Sequence, residues 1–92
     1  MMNEIKEAIE RALPRISIRL QNELVLVCPV DTGRLRASIK VTSDGMTITI
    51  SMVDYGIYVE FGTFKQRPNP FIRNTIRNKI GKIVQEEILK SF

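Results

Sequence analysis

One apolar stripe constrains this chain more than any other feature. Ile5, Ile9, Ala12, Leu13, Ile16, Leu20, Leu24 and Val27 recur at spacings of three and four, the period of a single helix face. A helix that long takes more than a quarter of a 92-residue chain, and the remainder has to cover its apolar side. Asn3 is the natural N-cap, and Glu4 and Glu7 suit the positive end of the helix dipole. Pro14 falls inside the pattern and removes one helical hydrogen bond, which implies a kink or a break into two pieces. The stripe keeps its phase across Pro14, and that favours the kink. Arg11, Arg15 and Arg19 form a row of like charges, slightly unfavourable on an isolated helix. Glu7 and Glu23 bracket the row and are placed to pair with its ends. Pro29 ends the helix, because the residue before a proline is pushed out of the helical region.

After Pro29 the pattern changes. Asp31 or Thr32 can cap a short helix whose apolar positions are Leu35 and Ile39. From Ile39 the period is two: Ile39 and Val41 alternate with Lys40 and Thr42, and Asp44-Gly45 is a strong hairpin signal. On the return strand Met46, Ile48, Ile50 and Met52 face one way, and Thr47, Thr49 and Ser51 the other. Asp54-Tyr55-Gly56 reads as a turn. Ile57-Tyr58-Val59-Glu60-Phe61 fits either a strand or a turn or two of helix that Gly62 would terminate, and the helix is the preferred reading. Thr63 to Asn69 is a basic, proline-bearing loop, and Asn69-Pro70 starts a helix with Asn as N-cap. Ile72, Ile76, Ile80, Ile83, Val84 and Ile88 then form a second stripe, in which Gly81 permits close approach of another element. The fold class is α+β in one domain, residues 1–92. A long N-terminal helix, a short helix and an antiparallel hairpin are followed by a C-terminal helix packed on one face of the sheet.

Composition narrows the function. The chain has no histidine, no tryptophan and one cysteine, so histidine triads, thiolate–imidazole zinc clusters and an internal disulfide are excluded within one chain. A lone Cys28 and a first turn that lacks the features of a secretory signal point to an intracellular, soluble protein. Glu86 and Glu87 are adjacent on a helix and point apart, while Asp31, Asp44, Asp54 and Glu60 are scattered. No metal, cofactor or membrane is expected. A chain this short buries roughly 60–65% of the surface its unfolded form exposes, so a partner or an oligomer is expected to complete the core. Residues 1–60 carry seven Lys/Arg against eight Asp/Glu, and residues 61–92 carry seven against two. The basic surplus therefore sits in the last third. It can attract nucleic acid or an acidic protein surface, although a solvated helix face is the commoner outcome.

Asp31-Thr32-Gly33 is the tripeptide of aspartic proteases, and a dimer of a short chain can bring two such carboxylates together. Its context opposes that reading: Arg34-Leu35-Arg36 follows it, and no glycine-rich flap exists. Tyr55, Tyr58, Phe61, Phe64 and Phe71 cluster near Lys65 and Arg67, like the stacking platforms of single-strand nucleic-acid binders. Aromatic residues around a turn more often serve a core or a protein interface.

Three motifs stand in order along the chain. They are Pro29-Val30-Asp31-Thr32-Gly33-Arg34-Leu35-Arg36-Ala37-Ser38-Ile39, then Tyr55-Gly56-Ile57-Tyr58-Val59-Glu60-Phe61-Gly62-Thr63, then Pro70-Phe71-Ile72-Arg73. With a leading and a closing helix around them, they resemble the tail-component family of lambdoid long-tailed bacteriophages and prophages. The resemblance spans nearly the whole chain. It implies a non-enzymatic subunit of a homo-oligomeric ring at the junction of head and tail, in contact with other neck and tail proteins. It implies the virion as location, after assembly in the bacterial cytoplasm. Pro29, Asp31, Thr32, Gly33, Arg34, Leu35, Ser38, Tyr55, Tyr58, Glu60, Phe61, Gly62, Thr63, Pro70 and Phe71 carry over as structural and interface positions. The chain departs from the family pattern at Pro14, at Arg67-Pro68 and at Asn74, where a proline is common. Glu60, a lone acid in an apolar run, is expected to pair with Arg34 or Arg36. The loop with Phe64, Lys65 and Arg67 is the expected partner contact. A small basic nucleic-acid-binding module is the alternative, and a dimeric aspartic protease a more distant one.

Overall fold

The computed structural model describes residues 2–29, 33–65 and 67–91. Helix α1 (Met2–Val27) runs unbroken through Pro14. Pro14 is exposed, so the Glu10 carbonyl it deprives of a donor lies on the solvent side. Asn3 falls within the first turn and is not the cap, because the helix already begins at Met2. The buried face is Ala8, Ala12, Leu13, Ile16, Leu20, Leu24 and Cys28. Both ends of the sequence stripe are displaced: Ile5 and Val27 are 42% and 48% exposed. At the C-terminal end the packing follows the i+4 step from Leu24 to Cys28 rather than the i+3 step to Val27. Ile5 lies ahead of Arg11, which already reaches the last turn of the C-terminal helix.

Helix α2 (Arg34–Ser38) is short, and Leu35 and Ile39 are buried as their spacing implied. Gly33 holds its N-cap position, in the left-handed region. Asp31 and Thr32, the caps read from the sequence, lie outside the described residues.

Strands β1 (Lys40–Asp44) and β2 (Thr47–Ser51) pair antiparallel from Lys40 opposite Ser51 to Asp44 opposite Thr47. The two-residue turn is therefore Gly45-Met46, one step later than the Asp44-Gly45 signal. Gly45 has φ 59°, and Met46 does not share that region, the arrangement of a type II′ turn with glycine first. Val41 is buried, and Ile48 and Ile50 half-buried, on one face; the threonines lie exposed on the other.

Helix α3 (Gly56–Phe61) confirms the helical reading, and Gly62 ends it at φ 76°. A Cβ on Gly56 would run into the Met52 side chain and come within 3.1 Å of Leu35 Cδ1, so any larger residue would have to displace Met52.

The last helical run consists of α4 (Phe71–Thr75), a π-helical stretch (Ile76–Ile80) and α5 (Gly81–Ser91). Its N-cap position is Pro70 rather than Asn69. Ile72, Ile76, Ile80, Val84 and Ile88 recur every four residues, and in a 3.6-residue helix such a row drifts about 40° per step. A π turn advances less per residue and brings the later members back towards α1. Gly81 is exposed with nothing near its Cβ position, so the close approach read at that residue is absent.

The class is α+β, but the C-terminal helix, expected on one face of the sheet, packs antiparallel on α1 instead, because its arginine partners and apolar row face that helix. Two core clusters result. Leu20, Leu24, Cys28, Leu35, Ile39, Val41 and Phe71 join the second half of α1 to α2, β1 and α4. Ala12, Leu13, Ile16 and Ile83 join its first half to α5, with Ile48 of the sheet against them. Among the described residues no helix is long and apolar enough to cross a membrane.

Candidate subunit interface

The three sequence motifs meet in one block of structure. Leu35 of α2 packs on Gly56 of α3, and the Arg34 guanidinium lies 5.9 Å from the centre of the Tyr55 ring. Ser38 Oγ donates to Leu35 O at 2.7 Å and accepts from Val53 N–H at 3.0 Å, fastening α2 to the segment after β2. Asn69 N–H donates to Val59 O at 2.8 Å, closing the loop between α3 and α4.

Glu60 is the hinge pin of this block. It is 4% exposed, and its partner is Arg73, not Arg34 or Arg36. Its two carboxylate oxygens accept from Ile72 N–H at 2.9 Å and Arg73 N–H at 3.0 Å. These are free amides of the first turn of α4, which Pro70 has no side-chain donor or acceptor to serve. Arg73 Nε donates to Glu60 Oε2 at 2.8 Å, and its Nη2 donates to Glu60 O at 2.8 Å. The Arg73 guanidinium then rests 4.5 Å from the centre of the Phe61 ring. A carboxylate from one helix thus caps another and holds its arginine in place. The sequence carried one sign of this, an acid inside an apolar run, but nothing local named Arg73 as its partner.

A second network locks α1 to α5. Arg15 Nε donates to Glu87 Oε2 at 3.3 Å, and Arg19 Nη1 donates to Glu86 at 3.0 Å and to Glu87 at 3.5 Å. Arg11 Nη2 donates to Ser91 O at 2.8 Å, at the negative end of α5, and Arg15 also reaches Ser91 Oγ. The row of like charges on α1 is therefore a docking strip. Glu7 pairs with Arg11 at 4.0 Å as its position implied, whereas Arg19 turns to α5 rather than to Glu23. Burial pushes the Glu87 carboxyl up, but the Arg15 hydrogen bond and the charges of Lys90, Arg15 and Arg19 outweigh it, leaving the group below its ordinary value. The Arg19 guanidinium is held above its ordinary value chiefly by its hydrogen bond to Glu86. Burial raises the Cys28 thiol, with Arg36 acting the other way, so the thiolate is disfavoured.

A family model described as bacteriophage HK97-gp10, putative tail-component, matches residues 1–62 of this chain. The chain belongs to that family. Neither a curated protein nor a solved structure matches it. The tail-component match runs from α1 to the end of α3 and stops at Gly62. It holds the first motif and the second as far as Gly62, while Thr63 and Pro70-Phe71-Ile72-Arg73 lie beyond it, so the likeness is narrower than the whole chain.

Among the described motif positions of this tail-component chain, Leu35, Glu60 and Phe71 are buried, and Ser38 and Tyr55 are half-buried. Tyr58 and Phe61 are 57% and 60% exposed, and Phe64 in the following loop is 96% exposed. Lys65 and Arg67 are exposed beside it, with the Lys65 ammonium 5.5 Å from the centre of the Phe64 ring. Thr63 Oγ1 accepts from Lys65 N–H at 3.2 Å and shapes the loop. The protease triplet leads into helix α2 rather than ending a strand, and Gly33 is its one described member. Of the cations in the last third, Arg73, Lys82 and Lys90 have carboxylate partners. Ile57, 57% exposed on α3, is a surface position that the sequence reading did not single out. Its signal was an isoleucine on a short helix whose inward positions, Gly56 and Glu60, were already taken.

Proposed function

We propose that this chain is a non-enzymatic structural subunit of the phage particle that acts at the head–tail junction, in the neck or in tail completion, as one member of a homo-oligomeric ring. Family membership supports the assignment to the tail. The observation that carries the finer reading is Phe64, an aromatic residue 96% exposed at a loop tip. Glu60, Thr63 and Asn69 brace the loop from both sides. Exposed aromatics on a braced loop beside Arg67 are the composition of an interface anchor, with Lys65 at its polar rim. The partners are other neck and tail proteins.

The test is complementation of a phage lacking this gene by Phe64→Ser combined with Lys65→Glu and Arg67→Glu. All three positions are exposed, so the variant is expected to keep wild-type circular dichroism and thermal unfolding. Electron micrographs should then show full heads and finished tails lying apart. Normal yields of joined particles from the folded variant would rule this loop out as the contact.

A further inference from the structure

The hairpin has two edges, and among the described residues the outer edge of β2 has no backbone partner. Val41 N–H donates to Gln21 Oε1 of α1 at 2.8 Å, so it points away from β2. In an antiparallel pair, opposite residues turn their backbone groups either both inwards or both outwards, in alternation. Ile50, opposite Val41, and Ile48, opposite Ser43, therefore point outwards along the far edge of β2. Among the described residues nothing pairs with those groups. The strand also lacks the usual protections, since Thr47-Ile48-Thr49-Ile50-Ser51 has no charge, no proline and no bulge. A two-stranded sheet is by itself marginal in water.

Beside this edge lies a groove of ≈ 510 Å³ with Ile50 and Met52 along it and Ile57, Phe61 and Ile72 also lining it. Met46, at the other end of β2, is 53% exposed.

We propose that β2 pairs edge to edge with β2 of a second copy of this chain, antiparallel, about a two-fold axis through Thr49. The strand is close to a palindrome about that residue. In this register Ile48 and Ile50 of one copy exchange outward hydrogen bonds with Ile50 and Ile48 of the other. The apolar faces also stay on the same side of a four-stranded sheet, whereas a parallel pairing of the same edges would turn them to opposite sides. The next pair along is Met46 of the second copy against Met52, which brings the exposed methionine to the groove. No like charges face one another in this register. Lys40 is opposite Ser51, and Thr47 is opposite Asp44. Each outer row of the joined sheet therefore reads Lys40, Ser51, Thr47, Asp44, with opposite charges at its two ends. This contact uses the β2 edge and not the Phe64 loop, so it stands independently of the head–tail reading. A two-fold contact added to a cyclic ring would give dihedral symmetry, so this pairing belongs to the free chain in solution, where it is tested.

The measurement is the mass of the full chain in solution as a function of concentration, together with disulfide trapping. The joined edge is small beside the ~800 Å² per partner of a standard interface, so a weak dimer is expected. Mass should rise from 10.6 kDa towards twice that value with concentration. Thr49 faces its own copy at about 4.5 Å between Cα atoms, within disulfide reach, while the two Thr42 residues lie about 14 Å apart across three strand spacings. Under mild oxidation Thr49→Cys should form a covalent dimer at least about tenfold faster than Thr42→Cys, given that difference in reach. Thr49→Lys places two like charges on the axis and should leave a folded monomer. Mixing it with Thr49→Glu should restore pairing. Both positions are exposed on the outer face, so folding is not at issue. A wild-type chain of constant 10.6 kDa mass, or equal trapping at both positions, would overturn the proposal.

Discussion

At the scale of single residues, Glu60 does more structural work than any other charged group in the motif block. It accepts two backbone amides and one guanidinium bond, and it is 4% exposed. Loss of an N-cap costs about 0.5–2 kcal/mol, and a hydrogen bond to a charged group contributes about 1.5–3 kcal/mol. Arg73 is itself half exposed and can be rehydrated, which limits the penalty of leaving it alone. Glu60→Ala should therefore cost about 3 kcal/mol in urea unfolding, and Glu60→Gln, which keeps one acceptor, about half of that. Arg73→Ala should cost less than Glu60→Ala, because the carboxylate keeps its two amide donors. If Arg73→Ala proved the more damaging, the carboxylate would be acting as an ion-pair partner rather than as a cap.

At the scale of elements, the α1–α5 seam ties stability to pH. Glu87 titrates below its ordinary value in the folded chain. Its ionised form then adds stability that is fully present above the unfolded value, about pH 4.3, and is lost as pH falls towards the folded one. Unfolding free energies should drop on acidification below about pH 4.3. Glu87→Gln should be less stable at neutral pH and show a shallower drop, and parallel pH profiles for the two proteins would contradict this role. The same seam shows what was legible in the sequence. Helix periods, the hairpin alternation and the α3 helix were local patterns, and each element formed, although Ile5 and Val27 fell off the buried face and the turn came one step later. Arg11, Arg15 and Arg19 looked like a local defect because their α5 partners lie 67–80 residues away. Glu60 was picked out correctly and matched wrongly for the same reason. Cap positions slipped at both α1 and α4, and the π stretch was hidden because isoleucines four apart read as an ordinary stripe. Local spacing specifies which face is apolar, whereas the partner of a charge depends on how whole elements dock.

At the scale of the whole molecule, the fold is a rod. Its extents are 52 × 20 × 19 Å, and its radius of gyration is 15.0 Å against about 12 Å for a compact chain of this length. A rod has little interior, and the two small clusters strung along α1 are the result. Neither cluster is complete within residues 1–62, the span of the family match. Phe71 belongs to one cluster and Ile83 to the other. Burial of each is worth about 1.5–3 kcal/mol, against a total stability of about 5–15 kcal/mol for an ordinary domain. The same truncation removes the amides and arginine bound by Glu60, and the α5 groups that neutralise the arginine row. A fragment of residues 1–62 should therefore show helical circular dichroism at most, with no cooperative thermal transition and narrow amide dispersion. The full chain should unfold in one sigmoidal step. Adding a peptide of residues 63–92 in trans should restore a transition whose midpoint rises with peptide concentration, as binding to the folded form alone requires. A cooperative transition in the fragment alone would mean that α4 and α5 are an accessory to a finished domain, whereas their place in both clusters makes them part of its core.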